Sequence, residues 1–526
     1  MTGTVAWLVV ALALPAAEVT PDAAAASQQL DAILTAGMSE VQLAPAPRAD
    51  DATFVRRVWL DVAGRIPPAQ AVEKYLASPS QQKRSELINE LLSSREAANN
   101  WARLWAEYYL DARPFDQQTY NGRLLQRYLY DAFRQNRSYR QIAREILAGD
   151  GTSDVSGPAN FLLRYEANPQ MLAGAVSRKF LGVTLQCAEC HDHPHVAWKQ
   201  DDFWGLAAFF ARLRRMNPTE EPEGDTFAVV LERSRGELSI PDYKAMPKED
   251  GTRPTRIVYP RTPSGPIDIS ASRRDALIDW LTGQQNPYFA RHFVNQTWKQ
   301  FFGDQLVPTL DETKPTSSSG DTSVLTRRKV LDHLAADFAA HDYDVRRLLS
   351  VILESDAYQR STGSAVESAV SPEQLARREA EELKHLARFP MRPLTGDQLY
   401  LSIAQATGFY GDDQSVRLGA VTDEDFATDL PANYFSSQPQ SLPRSVALLN
   451  GDYIRGAADA MATSTTRIYG NTPGARHVQW MFLSALGRSP SAEEMELMLD
   501  LAAHQEGGLA DVSWTLLNSA EFNLNH

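Results

Sequence analysis

"PQMLAGAVSRKFLGVTLQCAEC", residues 169–190, carries both the periodicity that sets the fold class and the chain's only two cysteines. Asn168 in front of it is a good N-cap, and Pro169 occupies the first helical position, where its missing N–H costs nothing. Leu172, Val176, Phe180, Val183 and Cys187 then recur at spacings of three and four. That spacing predicts an amphipathic helix which delivers the cysteine pair at or near its C-terminal end.

The same period extends in both directions. On the N-terminal side it runs through "DATFVRRVWLDVAG", "QAVEKYLAS", "KRSELINELLSS" and "NNWARLWAEYYLDA", with breaks at Pro67, Pro68 and Pro79. Trp101, Trp105, Tyr108 and Tyr109 form an aromatic stripe there, which reads as core packing. "DDFWGLAAFFARL", residues 201–213, reads as another helix. Between 216 and 270 Pro and Gly become frequent, and "FAVVLERSRGELSI" and "TRIVYPR" place β-type residues around turns. From residue 271 helices resume, through "NPYFARHFVNQTWKQFFG" and "DVRRLLSVILESDAYQ" to "VSWTLLNSAEFNLN". The expected fold is mainly α: two helical domains, 40–215 and 271–526, with a small antiparallel β insertion at 216–270 between them.

Composition excludes several classes. With 43% hydrophobic and 22% charged residues over 526 positions, the chain has ample material for real cores. Its formal charge of −14 argues against a nucleic-acid binder, which needs a basic face. "VAWLVVALALPAA", Val5 to Ala17, followed by "AAAAS", Ala23 to Ser27, reads as a signal peptide over residues 1–26. The expected location is therefore the periplasm or cell envelope, with no membrane span in the mature chain.

Cys187, Cys190 and His191 form C-x-x-C-H, the attachment signal for c-type haem. Residues i and i+3 project to one side of a helical turn. Two thiols so placed can each form a thioether with a haem vinyl group, and the following histidine can serve as proximal ligand to the iron. Met171, Met216, His292 and His385 are candidates for the opposite axial position. The alternative is zinc or a structural cluster built from Cys187, Cys190, His193 and His195. A redox C-x-x-C pair lacks its usual βαβ setting. No phosphate-cradling loop, H-E-x-x-H or G-x-S-x-G occurs, and Asp111 and Asp116 show no pairing by spacing, so no catalysed reaction is assigned.

Several strings together resemble one family: "FVRRVWLDVAGRIPP" (54–68), "FLGVTLQCAECHDHPHVAWKQDDFWGLAAFF" (180–210), "RRDALIDWLTGQQNPYFARHFVNQTWKQFFG" (273–303), "SVALLNGDYI" (445–454) and "TLLNSAEFNLNH" (515–526). They resemble the exported planctomycete and verrucomicrobial cytochrome-associated proteins that pair PSCyt-type and PSD-type domains of unknown function. Cys187, Cys190, His191, Asp192, His193 and Pro194 carry the family's C-A-x-C-H-D-H-P motif. His195 stands where an aromatic residue is usual, and His292 where the family is apolar. The resemblance implies an exported, haem-linked protein without supplying a reaction. Two roles follow as expectations: an electron-transfer or redox protein that docks a partner protein in the envelope, or a non-enzymatic envelope scaffold whose Cys/His cluster staples a turn.

Overall fold

Helices begin where the sequence offers a capping oxygen. Asp50, Ser94, Ser138, Asn168 and Asp344 each accept a hydrogen bond from a backbone N–H in the first turn of the helix that follows. Each such cap stabilises its helix by about 1 kcal/mol. The structure is a computed structural model. It describes residues 21–111, 116–117, 120–192, 198–216, 227–242, 245–262, 265–267, 272–283, 286–310, 321–364, 371–410, 442–504 and 508–526. The chain is 63% helical, with only small antiparallel sheets, so the mainly-α expectation is met. The run Val5–Ala17 lies outside the described residues.

One apolar core gathers buried side chains from Ala23 to Phe389. Its centre is aromatic: Trp105 stacks on Phe293 with ring centroids 4.5 Å apart, and Phe293 stacks on Phe338 at 5.1 Å. Trp101, Trp105 and Tyr109 are buried in this core, as the stripe reading expects. A second core combines Leu60 and Ile66 with residues from Leu394 to Phe522. Apolar packing therefore runs across the β segment, and the later-sequence part of the second core begins near residue 390. Helix Pro21–Glu40 packs on helices Thr322–Ala340 and Val345–Glu354, burying Ala23, Ala26, Leu30, Leu34 and Met38. The string Ala23–Ser27 is thus the first part of a core helix.

The β segment is a three-stranded antiparallel sheet with Val229–Glu232 in the middle, flanked by Leu213–Met216 and by Gly151–Thr152. Hairpins Leu238–Pro241 with Thr255–Val258 and Arg261–Thr262 with Gly265–Pro266 complete it. Two helix boundaries differ from expectation. The helix at 201–213 ends at Ala208, and Leu213 already pairs as strand. The helix from Pro169 runs to Val176, widens into a π-turn over Ser177–Leu181, and stops at Gly182. The cysteines stand beyond that stop.

The adjacent Arg56 and Arg57 tie the cores together. Both are buried on helix Asp51–Ala63. Arg56 donates to the carbonyls of Ala485 and Phe522, each at 2.8 Å. Arg57 donates to the carbonyls of His526 (3.0 Å), Arg360 (2.8 Å) and Tyr358, and its guanidinium lies 3.8 Å from the Phe389 ring centroid. Asp61, one turn on, accepts from Arg392, the Tyr358 hydroxyl and Asn525, each at 2.8 Å. The C-terminal residues are thereby locked against the N-terminal half of the chain.

Candidate functional site

Gly182 takes φ of +68° and ends the π-turn. Past it, Leu185–Glu189 form a 3-10 turn that Cys190 closes. In a 3-10 helix residues i and i+3 eclipse, so the turn sorts its side chains into three rows. Leu185 and Ala188 are both fully buried and hold the turn to the core. Gln186 and Glu189 bond to each other, Nε2 to Oε2 at 2.9 Å. Cys187 and Cys190 share the third row, both exposed and both free thiols. This corrects the single-helix reading: Leu172, Val176, Phe180 and Val183 are buried, whereas Cys187 faces outward.

The backbone of the turn is held from one neighbouring helix, Gln200–Ala208. Gln200 Nε2 donates to the carbonyls of Glu189 (3.1 Å) and Cys190 (2.9 Å), and Trp204 Nε1 donates to the Glu189 carbonyl at 3.0 Å. Asp192 Oδ1 in turn accepts from the Gln200 backbone N–H at 2.8 Å. His191 is exposed, with Nδ1 at 2.8 Å from the Asp192 carbonyl. A carbonyl only accepts, so in the neutral ring Nδ1 carries the proton and Nε2 keeps its lone pair. Metal-bound histidines commonly fix their second nitrogen in this way. The exposed thiol row and the anchored imidazole both fit the attachment of a haem group.

His193 and His195 lie outside the described residues, so the Cys187, Cys190, His193, His195 set has no described geometry. Among the described residues no group of three or more His, Cys, Asp or Glu is placed to hold a metal ion. Of the proposed opposite ligands, Met171 is exposed on helix Pro169–Val176, which packs against the cysteine turn. Met216 is exposed at the end of its strand, and His385 is buried at the end of helix Pro372–Lys384. His292 is also buried, with its Nε2 2.7 Å from the Tyr108 hydroxyl.

His292 belongs to a polar cluster that spacing did not reveal. Asp111 accepts from Lys179 and, at 3.0 Å, from the Tyr165 hydroxyl. Lys179 Nζ also sits 4.3 Å from the Tyr108 ring centroid. Burial alone would raise the Asp111 carboxyl, but the Lys179 hydrogen bond and charge outweigh it and hold the group below the usual carboxylate range. Burial, followed by the charge of Lys179, pushes His292 down to about 3.

Two family models match the chain. Residues 29–215 match PSCyt2, described as a protein of unknown function (DUF1549), and residues 273–421 match PSD1, described as a protein of unknown function (DUF1553). The chain belongs to the proteins that pair these two domains. No curated protein and no solved structure matches it. The PSCyt2 part contributes the cysteine turn, Tyr108, Asp111 and Lys179, and the PSD1 part contributes His292. Both matches contribute buried side chains to each of the two cores, so they are packed against each other.

Two expected results follow from the contact between the parts. A Cβ at position 182 would lie 2.3 Å from His292 Nδ1 and 3.0 Å from Leu310 Cδ1. Gly182→Ala should therefore cost about 1–2 kcal/mol for its left-handed backbone, before any clash is counted. A thermal midpoint equal to that of the wild type would disprove the close approach. The second result concerns pH. The folded pKa of His292 lies below its ordinary 6.5, so the unfolded chain takes up the proton first. Stability is then lost as pH falls below about 6.5, by roughly 2 kcal/mol at pH 5. His292→Gln should flatten the stability profile between pH 5 and 7, and an unchanged slope would rule the histidine out as its source.

Proposed function

We propose that this PSCyt2–PSD1 protein is exported and carries haem c, attached through Cys187 and Cys190, with His191 as proximal ligand and a role in electron transfer. One observation carries the reading. The two thiols share the outward row of a 3-10 turn, while the imidazole beside them is held at Nδ1 by the Asp192 carbonyl, which leaves the lone pair on Nε2. Bound there, haem would supply a one-electron couple whose potential depends on its axial ligands.

The chain's own residues do the positioning. Gln200 and Trp204 fix the carbonyls of Glu189 and Cys190, so the thiol row cannot unwind without breaking three hydrogen bonds. Asp192 links His191 to helix Gln200–Ala208 through its backbone carbonyl and its carboxylate. An exposed attachment site also leaves a route for electrons to a docked partner.

The test is spectroscopic. Protein made in a host with periplasmic cytochrome maturation should show a Soret band and, on dithionite reduction, reversible α and β bands. Stoichiometric zinc in colourless protein would replace the haem reading with the metal-cluster alternative. Export carries its own expectation. Cleavage after Ala17 leaves helix Pro21–Glu40 whole, whereas cleavage after Ala26 removes buried Ala23 and Ala26. Intact mass of the exported protein should therefore place the new N-terminus before Pro21. A terminus at Ser27 would contradict that.

A further inference from the structure

We propose that a cavity of about 290 Å³ between the PSCyt2 and PSD1 parts is a binding site for a small hydroxylated carboxylate. The proposal is independent of whether the cysteine turn carries haem. Arg178, Lys179 and Asp111 bring two positive charges and one negative charge to the wall. Lys179 is committed to Asp111, and Asp111 also holds Tyr165. Arg178 is held more loosely: it lies 3.7 Å from Asp111 and donates to Gln186 Oε1 at 3.4 Å. A guanidinium offers five donors in a planar fork that matches a carboxylate in two parallel bonds. Both contacts are long, and Arg178 lines the cavity, so a carboxylate there can compete for its donors.

Among the described residues the net charge of the wall is one positive. A monoanion satisfies it, whereas a dianion meets the fixed negative charge of Asp111. His292 at the back stays neutral and adds no charge. Thr184, Gln296, Gln305 and Thr309 supply hydroxyls and amides, and Pro308 and Leu310 are the apolar residues of the lining. Such a wall suits a ligand bearing hydroxyl groups better than a hydrocarbon tail. The volume lies at the lower end of the range for small-molecule sites. The wall is also composite. Tyr108, Arg178 and Thr184 come from the PSCyt2 match, and His292, Gln296 and Thr309 come from the PSD1 match. An occupant would touch both parts, which gives the pairing of the two domains a chemical purpose.

Calorimetric titration of the full chain tests this, using lactate, gluconate and glucuronate as probes and glucose and inorganic phosphate as comparators. At least one carboxylate should bind saturably. Arg178→Gln should weaken that binding about tenfold or more, since hydrogen bonds to a charged group contribute roughly 1.5–3 kcal/mol, and Arg178→Lys should restore part of it. The Arg178 side chain is 38% exposed, so neither variant should shift the thermal midpoint of the unliganded protein. Gln296→Ala should also lower the affinity, because the opposite wall contributes. The proposal is overturned if no carboxylate binds, if glucose or phosphate binds as tightly, or if either Arg178→Gln or Gln296→Ala binds like the wild type.

Discussion

Arg57→Met should lower the unfolding free energy by about 3–5 kcal/mol, a large share of the stability of an ordinary domain. Arg57 is fully buried, and its guanidinium satisfies the carbonyls of His526, Arg360 and Tyr358. Methionine keeps most of the stem volume but donates nothing, so three carbonyls lose a donor in a site with little access to water. Each unsatisfied group costs roughly 1–3 kcal/mol. The loss is also felt beyond the site, because these bonds hold the C-terminal residues and the segment after helix Val345–Glu354 to helix Asp51–Ala63. Arg48→Met is the control. Arg48 pairs with Asp356 on the surface, with 61% of its side chain exposed, and such pairs contribute at most about 1 kcal/mol. Urea unfolding should separate the two variants widely; equal midpoints would show that the buried clamp contributes no more than a surface ion pair.

The second large effect is all-or-none. On the haem proposal, wild-type protein from a maturation-competent host retains its peroxidase-active haem band through denaturing electrophoresis. The Cys187→Ser, Cys190→Ser double variant should lose that band completely, and each single variant should weaken it. Both thiols are exposed and unbridged, so far-ultraviolet circular dichroism should be unchanged and the loss cannot be assigned to unfolding. His191→Ala separates attachment from ligation: the covalent band should remain while the visible spectrum changes. Gln200→Ala probes the support. It removes the bonds to the Glu189 and Cys190 carbonyls and should reduce the yield of attached haem without touching a thiol. A haem band that survives in the double variant would exclude these cysteines as the attachment site.

Much of the local structure was legible. Asn168 and Pro169 start their helix as their chemistry requires, the aromatic stripe is core, and strands occupy the stretch rich in β-type residues around turns. The stop at Gly182 was not legible, because the apolar spacing from Leu172 to Cys187 continues through it without a break. A glycine tolerates a helix interior at modest cost, and the side chains of His292 and Leu310 that crowd position 182 come from more than a hundred residues away. The consequence is an inverted face: the period placed Cys187 with the apolar row, and the 3-10 turn points it outward. Gln200, Trp204 and Asp192 lay inside the quoted motif, but their hydrogen bonds run through side chains to backbone and leave no periodic trace.

By itself the sequence determined the elements and the reactive string: helix starts from capping oxygens, helix faces from apolar spacing, and a C-x-x-C-H whose residue types limit the chemistry. Only the tertiary structure decided what those elements meet. Arg57 bonds to the Arg360 carbonyl across 303 positions, and Tyr108 meets His292 across 184. Periodicity reports the environment of a residue averaged over a turn or two. It cannot report which distant carbonyl or ring will fill that environment, because that choice is made by packing across the whole core. Two adjacent arginines in an apolar helix therefore read as polar positions, and they become a buried clamp once the C-terminal chain folds back over them.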